Sequence, residues 1–365
     1  MNKNNTSIWT RIRSSALFLP FVCLVLVMAV NIIYDTMNGS NPLTFFIITL
    51  RDTTGNGTIL YGRIIDILNR GSEAALLALG MTLVVSSSAG TDISVGSVMS
   101  VCASFCCMLL AGYGVSSTND FNVPLVVGIL AALILGCVCG AFNGFLVAFL
   151  KIQPMVATLI LYSAARAVGL LMCNDLIVYI RNDAYGFLGG FCGILPTPII
   201  ITAICIVILT LVLKKTALGM YIQSVGINDK ASRIAGLNSK MIIWATYVLC
   251  GLFAAIAGVV ASSRITSADS NNIGLYMELD AILAVALGGN SLGGGKFNLA
   301  GSVIGAYTIQ AITTTLYNLG VSSAQAPVFK AIIVIIIVAI QAPPVKAFMR
   351  KRAAQKQTVR EGARA

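Results

Sequence analysis

The sequence contains no histidine, and charged residues make up only 10% of its 365 residues. Soluble domains carry about 25% charged residues, so this composition excludes a water-soluble globule. The lack of histidine excludes histidine-based acid–base catalysis, histidine metal sites and histidine proton relays. A nucleotide-binding P-loop is also missing. The most similar stretch is Gly-Gly-Gly-Lys at residues 293–296, but Phe297 follows it where a P-loop has a Ser or Thr that binds magnesium. We therefore expect neither an enzyme nor a cofactor bound to this chain.

Long apolar runs dominate what the sequence does contain, since 57% of its residues are hydrophobic and its mean hydropathy is +0.90. A transmembrane helix needs about 20 predominantly apolar residues. The runs predict an all-α, polytopic helical membrane protein with about ten transmembrane helices. They lie at residues 15–33, 71–88, 93–111, 123–150, 155–172, 196–213, 241–262, 275–289, 299–316 and 327–341.

Basic residues are unevenly distributed between these runs, and the chain's 24 Lys and Arg outnumber its 13 Asp and Glu. Cytoplasmic connections of membrane proteins are enriched in Lys and Arg. The distribution places both termini in the cytoplasm, and topology accounts for the positive charge without a nucleic-acid partner. We expect a cytoplasmic N-terminal segment at 1–14, a membrane domain at 15–343 that begins with a retained signal anchor, and a basic cytoplasmic tail at 344–365.

The longest predicted cytoplasmic connection, residues 214–240, can hold a short amphipathic helix. Asn228 or Asp229 would cap its start and Gly236 would end it. Its small apolar face would consist of Ile227, Ala231, Ile234 and Ala235. Composition alone leaves two interpretations open: a surface that docks to a partner protein, or a charged loop that only fixes topology.

On the opposite side, residues 34–70 are predicted to form a loop with one short helix. Cys173 and Cys192 flank a second outer stretch, where a disulfide between them is conceivable although the spacing does not establish one. The other cysteines lie mostly in apolar runs and are interpreted as small hydrophobic residues.

Charged residues within or beside apolar runs are candidates for a solute pathway, because a charge at a helix centre costs about 2.5 to 3.5 kcal/mol on insertion scales. The candidates are Asp92, Arg166, Glu278 and Asp280. Asp92 is interpreted either as a helix N-cap or as part of a broken helix that lines the pathway. Glu278 and Asp280 could pair with Arg166 or Arg264, or could serve the pathway.

Small residues recur at four-residue spacing on two of the predicted spans. Gly136, Gly140 and Gly144 form one such face and Gly301 and Gly305 a second. Small residues at this spacing let helix backbones approach closely, and we favour packing within the chain over a dimer interface. Asn143, next to Gly144, would lie at membrane depth and could hydrogen-bond a neighbouring helix or a sugar hydroxyl.

Several motifs resemble the permease subunits of bacterial carbohydrate ABC importers of the ribose and galactofuranose type. The resemblance covers nearly the whole chain, and its motifs are specific in combination. The matching stretches are residues 80–85 leading to 90–97, Phe142 to Gly144, Pro154 with Ala157, Thr158 and Leu159, and residues 278–285 running into 288–294. Residues 269–275 and 297–299 are more similar to the galactofuranose branch than to the ribose branch.

The resemblance implies a transmembrane permease in the bacterial inner membrane that imports a pentose or hexose. It implies contact with an ATPase subunit, which would hold ATP and magnesium, through Gly226, Asn228, Asp229, Ala231, Arg233 and Gly236. Further implied partners are an extracytoplasmic sugar-binding protein, membrane lipid and a second permease, identical or related. Its matching motifs add Ser94 and Thr158 to the pathway candidates.

Two alternatives remain at this point. The chain could be a self-sufficient sugar carrier coupled to protons or sodium through Asp92, Glu278 and Asp280. It could also be a member of the same family that imports a nucleoside or a signalling sugar.

Overall fold

The computed structural model describes residues 18–37, 46–53 and 57–341. The predicted cytoplasmic segment at 1–14 and the basic tail at 344–365 lie outside the described residues. The chain divides into two compact units, Met1–Ala311 and Ile312–Ala365. Helix α12 crosses this boundary, and the second unit contains α13. The sites discussed below lie in the first unit.

Helices account for most of the described chain. Their bounds are α1 Phe18–Met37, α2 Arg63–Ser88, α3 Val95–Ala111, α4 Leu125–Ala148, α5 Pro154–Met172, α6 Asp183–Gly186, α7 Thr197–Lys215, α8 Leu218–Ile227, α9 Asp229–Ile234, α10 Ser239–Arg264, α11 Met277–Leu287, α12 Leu299–Asn318 and α13 Ala326–Gln341. Each of the ten predicted apolar runs therefore coincides with a helix. The short helices α6, α8 and α9 lie in connections between these runs.

Six helices in the described ranges are long and apolar enough to cross a membrane: α1 (from Pro20), α2, α4, α5, α7 and α10. α3 has 17 residues, the lower end of the range for a transmembrane helix, and α11 has only 11, which is too few to cross a bilayer. A helical membrane protein is thus confirmed, while ten crossings and cytoplasmic termini remain predictions.

The expectation of an all-helical chain needs a correction, because short strands are present. An antiparallel hairpin of β1 (Thr49–Thr53) and β2 (Gly57–Tyr61) occupies the outer segment where a short helix was predicted. β3 (Ser117–Thr118), β4 (Val178–Ile180) and β7 (Ser267–Ala268) form a three-stranded sheet, and β5 (Phe191–Cys192) pairs with β6 (Leu195–Pro196). The β3–β4–β7 sheet joins connections that are distant in sequence, so local hydrophobic patterns do not reveal it.

The core of the first unit surrounds α2, whose residues from Gly71 to Ser87 are all buried. Helix α10 packs against α2, α3 and α4, and α3 also packs on α5. By contrast, α4 and α5 leave many large apolar side chains exposed, as expected for helix faces that meet lipid.

Glycines lie where two helix pairs approach most closely. On α4, a Cβ at Gly136 would lie 2.5 Å from the carbonyl oxygen of Gly251 on α10, and one at Gly140 would collide with the carbonyl oxygen of Tyr247. Gly144 lies against Trp244 on α10. Gly301 and Gly305 of α12 similarly face the backbones of Gly288 and Ala284 at α11. All of these contacts are within the chain.

The conceivable disulfide is not formed. Cys173 is buried, where its thiol lies 3.7 Å from the carbonyl oxygen of Ser104, whereas Cys192 is exposed. All ten cysteines fall in the described ranges and all are free.

Candidate functional site

The chain breaks its helical path between α2 and α3. Ala89 ends α2 in the left-handed conformation, with φ of 52°, and the backbone then runs without helix to Ser94. Gly90 lies against the ring of Pro154, the first residue of α5; a Cβ at Gly90 would be 2.5 Å from that ring. The break is therefore held against a neighbouring helix by a contact that only glycine permits.

Asp92 occupies this break and is only 3% exposed. Its Oδ1 accepts hydrogen bonds from the backbone N–H of Ser94, at 2.9 Å, and from the Ser94 hydroxyl, at 2.6 Å. The N-cap position of α3 belongs to Ser94, so Asp92 is not itself the N-cap that one interpretation proposed. It closes a local turn that orients the start of α3.

Two neighbouring helices complete the site. Asn143 of α4 donates from Nδ2 to the Ser94 hydroxyl at 2.8 Å. Thr158 of α5 accepts a hydrogen bond from the N–H of Ile93 at 3.1 Å. Four of the predicted pathway residues therefore meet in one place, and we call Asp92, Ser94, Asn143 and Thr158 the buried polar cluster.

One acceptor in this cluster has no partner. Asn143 is 1% exposed, and its Oδ1 is buried without a hydrogen bond. A buried unpaired polar atom costs about 1 to 3 kcal/mol, so such atoms are uncommon and call for an explanation. An amide oxygen in this position can accept a hydrogen bond from the hydroxyl of a polar solute.

Arg166 belongs to a second site on α5, about 12 Å along the helix axis from Thr158. Its Nη1 donates to the carbonyl oxygens of Ser270 and Asn271 at 2.9 and 2.8 Å, while Nε and Nη2 are buried without partners. Arg166 therefore holds the connection before α11 through its backbone.

Glu278 lies in the first turn of α11 with Asp280, which is partly buried. The Glu278 carboxylate faces the first turn of α3, where a Cβ at Gly96 would collide with Oε2. The N-terminus of a helix favours negative charge, which offsets part of the cost of burying this group. Among the described residues Glu278 forms no ion pair, and its Oε2 accepts no hydrogen bond.

Arg264, one of two candidate partners for Glu278 and Asp280, forms an ion pair with a different carboxylate. Arg264, at the end of α10, pairs with Glu73 of α2 at 2.9 Å, and Glu73 is 5% exposed. Sequence reasoning missed Glu73, although a lone carboxylate within the predicted span 71–88 is itself the signal of a buried charge that needs a partner.

The predicted cytoplasmic connection, residues 214–240, holds two helices, α8 and α9, of which the second matches the predicted short helix. The Asn228 side chain caps α9 by accepting from the N–H of Ala231 at 3.0 Å, and Gly236 follows with φ of 86°. Arg233 pairs with Asp229 at 2.6 Å across one turn. We call residues 226–236 the coupling segment.

The coupling segment exposes the apolar residues that the sequence placed on one face. Ile234 is 90% exposed and Ile227 65% exposed, and Ala231 and Ala235 are exposed as well. An isoleucine side chain that is exposed to solvent on a capped helix adds little to the stability of the isolated chain, but it is suited to contact with another protein.

With this geometry described, comparison with known proteins assigns the family. Residues 63–340 match the family model described as branched-chain amino acid transport system / permease component. The chain belongs to this family. It is a multi-pass membrane permease, and the match includes both the buried polar cluster and the coupling segment.

Several relatives with curated descriptions are sugar permeases. The chain is 46% identical to the galactofuranose transporter permease protein of Escherichia coli (strain K12), over 77% of this chain and 80% of that protein. It is 38% identical to the fructose import permease protein of Bifidobacterium longum (strain NCC 2705), over 86% of each chain. Identity to the ribose import permease protein of E. coli (strain K12) is 35%, over 80% of this chain and 89% of that protein. The higher identity to the galactofuranose permease agrees with the branch that the motifs favoured.

Proposed function

We propose that this chain is the permease subunit of a bacterial ABC importer that moves a monosaccharide, a galactofuranose- or ribose-like hexose or pentose, into the cytoplasm. The observation that carries the proposal is the 46% identity to the galactofuranose permease over 77% of the chain. The chain would reside in the inner membrane and provide the pathway, while a separate ATPase subunit would bind ATP and magnesium. No cofactor is proposed for the permease itself.

The buried polar cluster is the proposed sugar pathway. Monosaccharides present several hydroxyls that both donate and accept hydrogen bonds, and Ser94, Asn143 and Thr158 offer neutral partners of the same kind. The free Oδ1 of Asn143 supports this role because it is an acceptor that the protein itself does not use. Arg166, Glu278 and Asp280 are proposed as a second group along the path, near the start of α11.

The coupling segment is the proposed contact with the ATPase. Its support is a capped helix that presents Ile234 to solvent, together with an exposed ion pair that leaves Arg233 and Asp229 at the surface. ATP-driven closure of two ATPase subunits would move this segment and switch the pathway between outward and inward access. The remaining proposed partners are an extracytoplasmic sugar-binding protein, membrane lipid and a second permease of the same or a related sequence.

Two alternatives differ from this proposal, one in the substrate and one in the source of energy. The family description names branched-chain amino acids, so leucine is a necessary test substrate beside sugars and nucleosides. An ion-coupled carrier would use Asp92, Glu278 and Asp280 as titrating groups and would work without an ATPase.

The deciding experiment is uptake into proteoliposomes that contain this chain with its ATPase and binding protein. Hexoses in furanose and pyranose forms, pentoses, a nucleoside and leucine are supplied separately. We expect ATP-dependent uptake of one monosaccharide that requires all components. Uptake by the permease alone that collapses with the ion gradient would overturn the proposal, and ATP-dependent uptake of leucine alone would overturn the substrate class.

A further inference from the structure

Three glycines bring the coupling segment into direct backbone contact with the end of α2. Gly226, in the last turn of α8, lies so close to Ser86 that a Cβ would collide with the Ser86 carbonyl oxygen. The same oxygen accepts a hydrogen bond from the N–H of Gly295 at 3.0 Å. At Gly294, whose φ is 86°, a Cβ would lie 3.0 Å from both the Gly226 carbonyl oxygen and the Ala89 Cβ. We call Ser86, Gly226, Gly294 and Gly295 the glycine junction.

The hydrogen bond at this junction fills a specific need of α2. The last carbonyl groups of a helix have no partner within the helix, and Ser86 belongs to the last turn before Ser88. The N–H of Gly295 satisfies its carbonyl oxygen from outside. The Ser86 carbonyl at the end of α2 is thus satisfied by the loop between α11 and α12 rather than by the residues that directly follow α2.

That loop is itself fixed to α2 at a second point. The Asn290 Oδ1 accepts a hydrogen bond from the backbone N–H of Asn298 at 2.5 Å, and its Nδ2 donates one to the Ser302 hydroxyl at 2.8 Å. Ser302 in turn accepts a hydrogen bond from Thr82 of α2 at 2.7 Å. The loop is therefore tied to α2 one turn before Ser86, so the two should move together.

The junction is also close to the buried polar cluster along the chain. Ala89 ends α2, Gly90 rests on Pro154, and the N–H of Ile93 is held by Thr158, one turn further along α5. A shift of the Ser86 backbone would be passed to Asp92 through a segment of only five residues, in which Gly90 is held against Pro154.

Contacts made only by backbone atoms transmit displacement well, because close-packed atoms have little compressibility and no rotamers to adjust. We propose that the glycine junction is the element through which movement of the coupling segment reaches the α2–α3 break, and that Gly226 and Gly294 are positioning residues for transport. This inference rests on the proposed ATP-driven function. It assigns a mechanical role to the backbone contacts between the coupling segment and α2, in addition to the ATPase contact proposed for the exposed side chains of that segment.

Gly226→Ala tests the inference, with Gly293→Ala as its control. Gly293 lies in the same loop as Gly294, but a Cβ at Gly293 would have only the Ser291 hydroxyl oxygen within 4 Å, at 3.5 Å. Both variants are reconstituted with the ATPase and binding protein, and sugar uptake and ATP hydrolysis are measured together. We expect Gly226→Ala to bind the ATPase and hydrolyse ATP, while sugar moved per ATP falls about tenfold. Gly293→Ala should match the wild type.

A second pair covers the case in which Gly226→Ala does not accumulate in the membrane. Gly294→Ala places a Cβ 3.0 Å from the Gly226 carbonyl oxygen, whereas Gly114 has a similar φ of 77° and no neighbour within 4 Å. The two alanine variants therefore have similar backbone strain, and they differ in whether the new Cβ contacts the glycine junction. We expect uncoupling in Gly294→Ala and not in Gly114→Ala.

Wild-type sugar moved per ATP in either junction variant would overturn the inference. So would a parallel fall in hydrolysis and uptake, or loss of both junction variants from the membrane, because either result assigns the junction to folding alone. Failure of the proposed function looks different, since the wild-type protein itself would then show no ATP-dependent sugar uptake.

Discussion

Replacing Asn143 by leucine separates a pathway role from a packing role at the buried polar cluster. The change removes the hydrogen bond from Nδ2 to Ser94, and such bonds between membrane helices contribute about 0.6 kcal/mol on average. It also removes the unpaired Oδ1, whose burial costs about 1 to 3 kcal/mol. The larger side chain adds about 1 to 3 kcal/mol of overpacking, so the terms largely cancel.

Transport should respond more strongly than stability. If Oδ1 accepts a hydrogen bond from a hydroxyl of the passing sugar, its loss removes about 1 to 1.5 kcal/mol of interaction, which corresponds to a roughly 5- to 12-fold lower rate at subsaturating sugar. The assay is the initial rate of ATP-dependent uptake in proteoliposomes, measured beside the melting temperature of the purified variant.

Tyr185→Phe provides the matched control for loss of a buried hydrogen bond. Its hydroxyl bonds to Ser262 at 2.6 Å, and the residue is fully buried outside both proposed sites. We expect the control to lose some stability and to keep its uptake rate. Wild-type uptake by Asn143→Leu, or a fall in uptake that only follows a fall in melting temperature, would refute the reasoning and leave Asn143 as a packing residue.

Three further predictions concern the coupling segment, the sidedness of the chain and helix packing. Arg233→Glu should leave the amount of protein in the membrane unchanged, because an exposed ion pair contributes only about 0 to 1 kcal/mol to stability. The same change should abolish ATP hydrolysis that is coupled to transport. Normal coupled hydrolysis would show that Arg233 is not part of the ATPase contact. Cys192 is exposed in the predicted outer region. It should therefore react with a membrane-impermeant maleimide added to cells whose outer membrane is permeable and whose inner membrane is intact. Labelling only after the inner membrane is opened would show that the chain has the opposite orientation. Gly140→Val should lower the melting temperature sharply, because its side chain would collide with the carbonyl of Tyr247, and an unchanged melting temperature would show that α4 and α10 are not held this closely.

Sequence patterns predicted the helices well because the signal for them is local. A run of apolar residues near membrane length leaves the backbone no hydrogen-bonding choice except a helix. Asn228 followed by Asp229, with Gly236 after the helix, likewise predicted α9 from capping chemistry alone. The boundaries shifted where polar residues continued a helix, as in α2, which starts at Arg63 rather than at residue 71.

The site was predictable as a set of residues but not as an arrangement. Asp92 and Asn143 were recognisable because polar side chains are costly at membrane depth. That they share Ser94 depends on how α3 and α4 pack, which no local pattern encodes. The same limit hid the Glu73–Arg264 pair and the contact between Gly226 and Ser86, whose partners are far apart in the chain.

The hydrogen bonds of the helix break suggest how one set of groups could both close the pathway and bind a sugar. Irregular backbone at membrane depth is tolerated only where its polar groups find partners. Here the N–H of Ile93 is satisfied by Thr158 and that of Ser94 by Asp92. If α5 moves away from α3, the N–H of Ile93 loses Thr158, and if α4 moves away, Asn143 loses the Ser94 hydroxyl. Sugar hydroxyls can replace these partners one for one. On the proposed function, passage of the solute would then exchange hydrogen bonds without leaving polar atoms unpaired, and ATP would be needed to move helices rather than to desolvate the pathway.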